Sequence, residues 1–140
     1  MRDKKTIYFA VKALILNGGD FLIMHKAEAE EAVWELPGGR MEYGETAEET
    51  LAREVLEETG LGVVPIRVLD TWNCVYEMYQ ITGIIYLCKA QNNEVRLSEE
   101  HDRFRWVNAG MDSAAAMHEA FREKMVGWNW DEIKLPGASC

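Results

Sequence analysis

Glu54, Glu57 and Glu58 stand at positions i, i+3 and i+4 of one short stretch. In a helix, which turns about 100° per residue, they share a face. Three like charges there repel one another, so stability alone does not select them. A divalent cation resolves the conflict. Mg²⁺ takes carboxylate oxygens and keeps positions for water and phosphate oxygens. A solvated acidic face is the commoner reading of Glu-rich segments, so the surroundings have to decide. Upstream, Pro37-Gly38-Gly39 turns the chain. Side-chain-free residues there let an ion approach the backbone, which makes the Gly38 carbonyl a further candidate ligand. Arg40, just past the glycines, is placed to meet a phosphate oxygen through a charge-assisted hydrogen bond.

These acids need a helix to hold them, and the sequence supplies one at 46–59. Thr46 is a capping residue, Glu48 and Glu49 occupy the favourable first turn, and Gly60 ends the element. Leu51, Ala52, Val55 and Leu56 fill the neighbouring arc and can pack on a sheet. The full pattern is Gly39, five residues, Glu45, seven residues, Arg53-Glu54-Val55, one residue, Glu57-Glu58, one residue, Gly60-Leu61. Even allowing for a Glu-rich chain, its chance occurrence is on the order of one in a million.

This segment resembles the signature of the Nudix hydrolases, with every defining position filled over 23 residues. Trp34-Glu35-Leu36-Pro37-Gly38 before it is also typical of that family. The resemblance implies an α/β fold, an α/β/α sandwich around a mixed β-sheet, with residues 1–140 as one domain. It implies Mg²⁺ as cofactor, with Mn²⁺ as a substitute. Glu57 and Glu58 would ligate the cation, and Glu54 would either ligate it or accept the proton of the attacking water. Glu45 and Arg53 would be in contact, Arg53 orienting the carboxylates rather than taking part in the chemistry. Gly39 and Gly60 would support the motif. Related enzymes also supply an acid from the region of residues 98–102. Glu100 is the first choice as ligand or general base, with Glu99 and Asp102 behind it and a solvated acidic loop as the alternative.

The implied reaction is cleavage of the pyrophosphate bond in a nucleoside diphosphate linked to another moiety. A nucleoside triphosphate or dinucleoside polyphosphate is the leading substrate. ADP-ribose or nucleotide-sugar hydrolysis is the alternative, as is a module that senses a nucleotide without cleaving it. Tyr79 lies where diadenosine polyphosphate hydrolases carry a tyrosine and is assigned to substrate binding. Trp72 and Tyr76 either stack a base or join the core. His25 is read as a surface residue ahead of a phosphate contact, and His101 and His118 as structural, since neither has ligand spacing to another His or Cys.

Composition bounds these readings. The chain has 140 residues, 48% of them apolar, and a net charge of −9. That charge disfavours nucleic acid and anionic membrane, and a polyphosphate could dock only with cations. Cys74, Cys88 and Cys140 form no Cys-x-x-Cys pair, so neither a disulfide framework nor a zinc site is expected. Lys12 breaks the apolar run near the amino terminus, and no stretch approaches the length of a membrane helix. The expectation is a cytoplasmic monomer or homodimer acting on a small-molecule nucleotide.

The remaining elements follow from local pattern. Strands are expected at 6–16, 21–24, 33–36, 62–70, 75–80, 82–90 and 103–108, with a hairpin at Asn17-Gly18-Gly19-Asp20. Residues 41–42 read as a short extended piece, 26–32 as a charged loop and 113–126 as a second helix with a core-facing stripe. Trp128 and Trp130 are read as covering the core edge, lining the pocket or meeting a second subunit.

Overall fold

A computed structural model describes residues 4–26 and 33–134. The loop expected at 26–32 falls outside these residues except for Lys26, as does Cys140. The first strands are β1 (Thr6–Asn17), β2 (Asp20–Lys26), β3 (Trp34–Glu35) and β4 (Gly38–Arg40). Helix α1 (Ala47–Thr59) follows, then β5 (Val63–Val75), β6 (Tyr79–Ala90) and β7 (His101–Asn108). A 3-10 helix (Met111–Ala116), α2 (Glu119–Met125) and α3 (Trp130–Lys134) close the described chain.

β1 is apolar on both faces, which suits a central strand. Ala10, Leu14 and Leu16 join one core cluster, while Val11, Ala13 and Ile15 join the other. The sheet order is β3-β2-β1-β6-β5, with β1 parallel to β6 and the other pairs antiparallel. β1 and β2 pair only near their shared turn, at Leu16–Phe21 and Asn17–Asp20. Beyond it they diverge. β4 pairs with the opened edge of β1, Lys12 opposite Gly38, and β7 pairs with β2.

Each sheet face carries a helical layer. Leu51 and Val55 of α1 pack with Leu61 against Val11, Ala13 and Ile15. On the opposite face, Phe121, Met125, Trp130 and Ile133 cover Leu14, Phe21, Trp72 and Ile85. Each fully buried large apolar side chain contributes roughly 1.5–3 kcal/mol, enough in sum to fix both layers. The mixed sheet between helices is the expected sandwich.

The ends of α1 are specified locally. Thr46 Oγ1 accepts from the Glu49 N–H at 3.1 Å, and the Thr46 N–H donates to Glu49 Oε1 at 2.9 Å. This reciprocal pair is a capping box. Gly60, at φ 75°, ends the helix in the left-handed region.

Three expectations are corrected. Residues 62–70 and 75–80 are not separate strands: β5 continues to Val75 and the turn falls at 76–78. Register shifts at Pro65/Arg67 and Val68/Asp70 absorb the irregularity, and Trp72, donating from Nε1 to Ala10 O at 3.2 Å, anchors the strand beyond it. The helix expected at 113–126 is broken at Met117, whose backbone is extended (φ −84°, ψ 152°). Met117 bridges to Trp34, and the His118 N–H donates to Trp34 O at 2.8 Å, so sheet pairing overrides helical propensity there. Residues 41–42 carry no strand, and the short extended piece there is β4, ending at Arg40. The two C-terminal tryptophans separate: Trp130 is buried and stacks on Phe21, whereas Trp128 Nε1 donates to Asp70 Oδ2 at 2.8 Å. No described helix is long and apolar enough to cross a membrane.

Candidate active site

The turn into β4 and the acid face of α1 meet where β1 and β2 separate. Two glycines make that meeting close. A Cβ on Gly38, at φ 139°, would overlap the Val11 carbonyl, and a Cβ on Gly39 would overlap the Glu54 carboxylate.

Arg53 organises the acids. Its Nε and Nη2 donate to Glu45 at 2.6 and 2.9 Å, a planar fork on one carboxylate. Nη1 donates to Glu54 Oε1 at 2.8 Å and to Glu57 Oε2 at 3.5 Å, and Nη2 also reaches Arg40 O at 3.1 Å. The Arg53 hydrogen bonds hold the Glu45 carboxyl at about 2, and the same bonds push the Arg53 guanidinium above its ordinary range.

Glu58 behaves differently. It is 6% exposed, and its Oε1 accepts from the Gly38 N–H at 2.7 Å. Burial pushes its carboxyl up to about 7, against the opposing pull of Lys12, the Gly38 bond and His101. Beside it, His101 Nε2 lies 2.8 Å from Glu35 Oε1, and His101 Nδ1 lies 3.8 Å from Glu58 Oε2. Burial would raise Glu35 too, but the His101 hydrogen bond and the charge of Lys12 outweigh it and hold that carboxyl at about 2.

Glu54, Glu57, Glu58, Glu99 and Glu100 line one recess of about 320 Å³. A larger cleft of about 680 Å³ adjoins it, sharing Glu54, Glu58, Glu99 and Glu100. Gly38, Gly39, Arg40 and Tyr79 line this cleft, while Glu45, Arg53 and Gly60 lie outside both linings. Asp102 points elsewhere and bonds His25 Nδ1 at 2.7 Å. Arg40 stacks over Tyr8 at 3.9 Å, and Tyr79 stacks on Tyr76 at 4.6 Å.

The donor set fits a divalent cation. Ligand atoms of Glu58, Glu100 and His101 lie within 4.8 Å of one another. His101 Nδ1 is buried with no hydrogen-bond partner among the described residues, as expected of a nitrogen kept for a ligand. Carboxylate oxygens suit Mg²⁺ and Mn²⁺, and an imidazole nitrogen suits transition metals.

Sequence reasoning set His101 aside as structural, yet it joins the acid cluster through Glu35, a contact spanning 66 residues. His25, read as a surface residue, is 3% exposed and bonded to Asp102 across 77 residues. One member of each pair, His101 and Asp102, lies on β7, which begins at His101 rather than Arg103, and no local spacing announces that. Lys12, seen only as a break in an apolar run, is buried on the cleft wall.

An α/β sandwich whose carboxylate-bearing helix is fed by a glycine turn is a recognisable class of protein. The NUDIX domain family matches residues 8–128, and the chain belongs to that family. The MutT protein of Methanosarcina mazei Go1 superposes with a TM-score of 0.79 at 29% identity, covering 91% of this chain and 95% of that one. The nucleoside triphosphatase NudI of Enterobacter sp. (strain 638) is 32% identical over 123 residues, covering 78% of this chain and 87% of that protein. The 8-oxo-dGDP phosphatase NUDT18 of Mus musculus is 41% identical over 72 residues, 50% of this chain. That match spans 22% of the mouse protein's length.

Proposed function

We propose that this chain is a pyrophosphohydrolase that cleaves the phosphoanhydride of a nucleoside diphosphate linked to another moiety, nucleoside triphosphates foremost. Dinucleoside polyphosphates fit the same chemistry. One observation carries the reading: five carboxylates line a recess that opens onto a cleft bearing Arg40 and stacked tyrosines. A charge cluster of that kind suits cations bridging to phosphate, and the aromatic side suits a base.

Glu57 and Glu58 would hold the cation, with Glu100 and His101 offering ligand atoms close to Glu58, Glu54 lining the same recess, and the Gly38 carbonyl as a further candidate. Bound there, Mg²⁺ or Mn²⁺ would neutralise phosphate charge and acidify a water. Glu54 Oε1 is engaged by Arg53, while Oε2 faces Gly39 and is the atom to take a proton from attacking water. Glu100 is the alternative base. Arg53, held by Glu45, keeps Glu54 and Glu57 oriented. Arg40, whose guanidinium packs over Tyr8 on the cleft wall, would meet phosphate oxygens, and Tyr79 would offer a ring face to the base. The water oxygen bonds phosphorus, the bridging P–O bond breaks, and two phosphate-bearing fragments leave.

The family match over residues 8–128 supports treating residues 1–140 as one domain with a small-molecule nucleotide as partner. The test is product release from nucleoside triphosphates, dinucleoside polyphosphates, ADP-ribose and nucleotide sugars, with and without Mg²⁺. Mg²⁺-dependent cleavage of a triphosphate or dinucleoside polyphosphate is expected. Silence across the whole panel would overturn the proposal.

A further inference from the structure

Lys12 lends its charge to Glu35 and Glu58 but has no step of its own in the reaction above, and it is a buried cation on the cleft wall. It sits on β1, 8% exposed, on the face shared by Ala10 and Leu14. Its Nζ donates to Leu36 O at 3.3 Å and to Gly38 O at 3.5 Å, both near the long limit for such bonds. An ammonium has three N–H donors, and among the described residues these are the only two hydrogen bonds it makes. Trp72 and Phe121 flank it, their ring centroids 5.8 and 5.9 Å from Nζ. Ala10, Ile81, Trp72 and Phe121 give this side of the cleft its apolar wall.

We infer that Lys12 is a specificity-determining residue that reads the nucleobase, selecting a ring carbonyl oxygen over an exocyclic amine. The inference rests on the nucleotide reading of the same cleft. Phosphates belong with the acid recess and Arg40, so the aromatic wall is left for a flat, weakly hydrated ring. An ammonium set into that wall can donate but never accept. Guanine and hypoxanthine present a carbonyl oxygen at C6, and the spare N–H has an acceptor. Adenine presents an amine there. Donor would face donor, and a buried N–H would lose its water without gaining a partner. Sites built to hydrogen-bond a substrate atom reject analogues lacking it far more strongly than apolar pockets reject a change of size.

Inosine and adenosine triphosphates test this directly, because the two differ at purine C6 (oxo with a protonated N1 against amino). The wild-type protein is expected to favour inosine triphosphate in kcat/KM by about tenfold or more. Lys12→Met, which keeps the stem and removes the donors, is expected to bring that ratio within about twofold of one, through loss on the inosine side. Equal turnover of the two by the wild type would overturn the inference, with no variant needed. So would a Lys12→Met protein, folded by its melting curve, that loses both activities equally, since a phosphate contact or a brace for the turn at Pro37 would do that. If neither triphosphate is cleaved, the hydrolase reading is decided by the wider substrate panel, and dissociation constants for inosine and adenosine monophosphates decide the role of Lys12 by the same ratio.

Discussion

Gly38 and Glu58, 20 residues apart, are joined by a 2.7 Å hydrogen bond from the Gly38 N–H to Glu58 Oε1. The bond fastens the glycine turn to the acid helix and buries a carboxylate that would otherwise face water. The cost of that burial, which the Gly38 bond only partly offsets, shows in the protonation of Glu58. The folded value of about 7 lies above the ordinary 4.5, so the folded chain holds this proton more tightly than the unfolded one.

The metal-free protein should therefore be stabilised by Glu58 below about 4.5, and lose that contribution as pH rises through about 7. The loss is on the order of 3 kcal/mol. Melting curves in chelator across that range should show the decline in the wild type and its absence in Glu58→Gln. Glu35 contributes with the opposite sign. Held at about 2, it stabilises the fold above 4.5 and that stability is lost as pH falls toward 2.

Arg53→Ala removes a fork that binds Glu45 and reaches Glu54 and Glu57. We expect a stability loss of roughly 1.5–3 kcal/mol, typical of charge-assisted bonds. Turnover should fall by about tenfold or more as the carboxylates splay. Arg53→Lys should recover little of either, because an ammonium lacks the planar geometry. Denaturant melts and steady-state rates on the same samples check both parts.

The two neighbouring glycines should respond differently to alanine. In Gly39→Ala the new Cβ meets the movable carboxylate of Glu54, so turnover should fall while the melting temperature barely changes. In Gly38→Ala the obstacle is the Val11 carbonyl and φ is 139°, so the fold itself should lose about 1–3 kcal/mol. Paired rate and melting measurements separate the two.

Arg40→Ala should raise KM with little change in kcat, the pattern of a group that binds ground and transition states alike. Steady-state kinetics over a range of substrate concentration reads this out. A fall in kcat with KM unchanged would instead place Arg40 on the reacting phosphate.

The acid helix was legible because its signals are local. Thr46 and Gly60 mark its ends within a few residues, and Glu54, Glu57 and Glu58 declare a common face through helical spacing alone. What the sequence concealed is carried by distant pairs. His101 acquires its place from Glu35, His25 from Asp102, and Met117 leaves its helix because Trp34 offers a strand partner. Lys12 was visible only as an interruption, since its meaning comes from the Leu36 and Gly38 carbonyls and two rings brought over it by the fold. The division of β5 failed for a related reason: bulges let a strand run through residues whose alternation is broken.

The proposed reaction requires a divalent cation held in the acid recess. Glu57 is the place to test it, because its side chain is 59% exposed and a change there leaves the core alone. Turnover of the best nucleotide substrate by wild-type and Glu57→Gln protein should be measured across Mg²⁺ concentrations. The prediction is a strict Mg²⁺ requirement in the wild type and a loss of several orders of magnitude in the variant at an unchanged melting temperature. Near-normal Mg²⁺-dependent turnover by Glu57→Gln would contradict it.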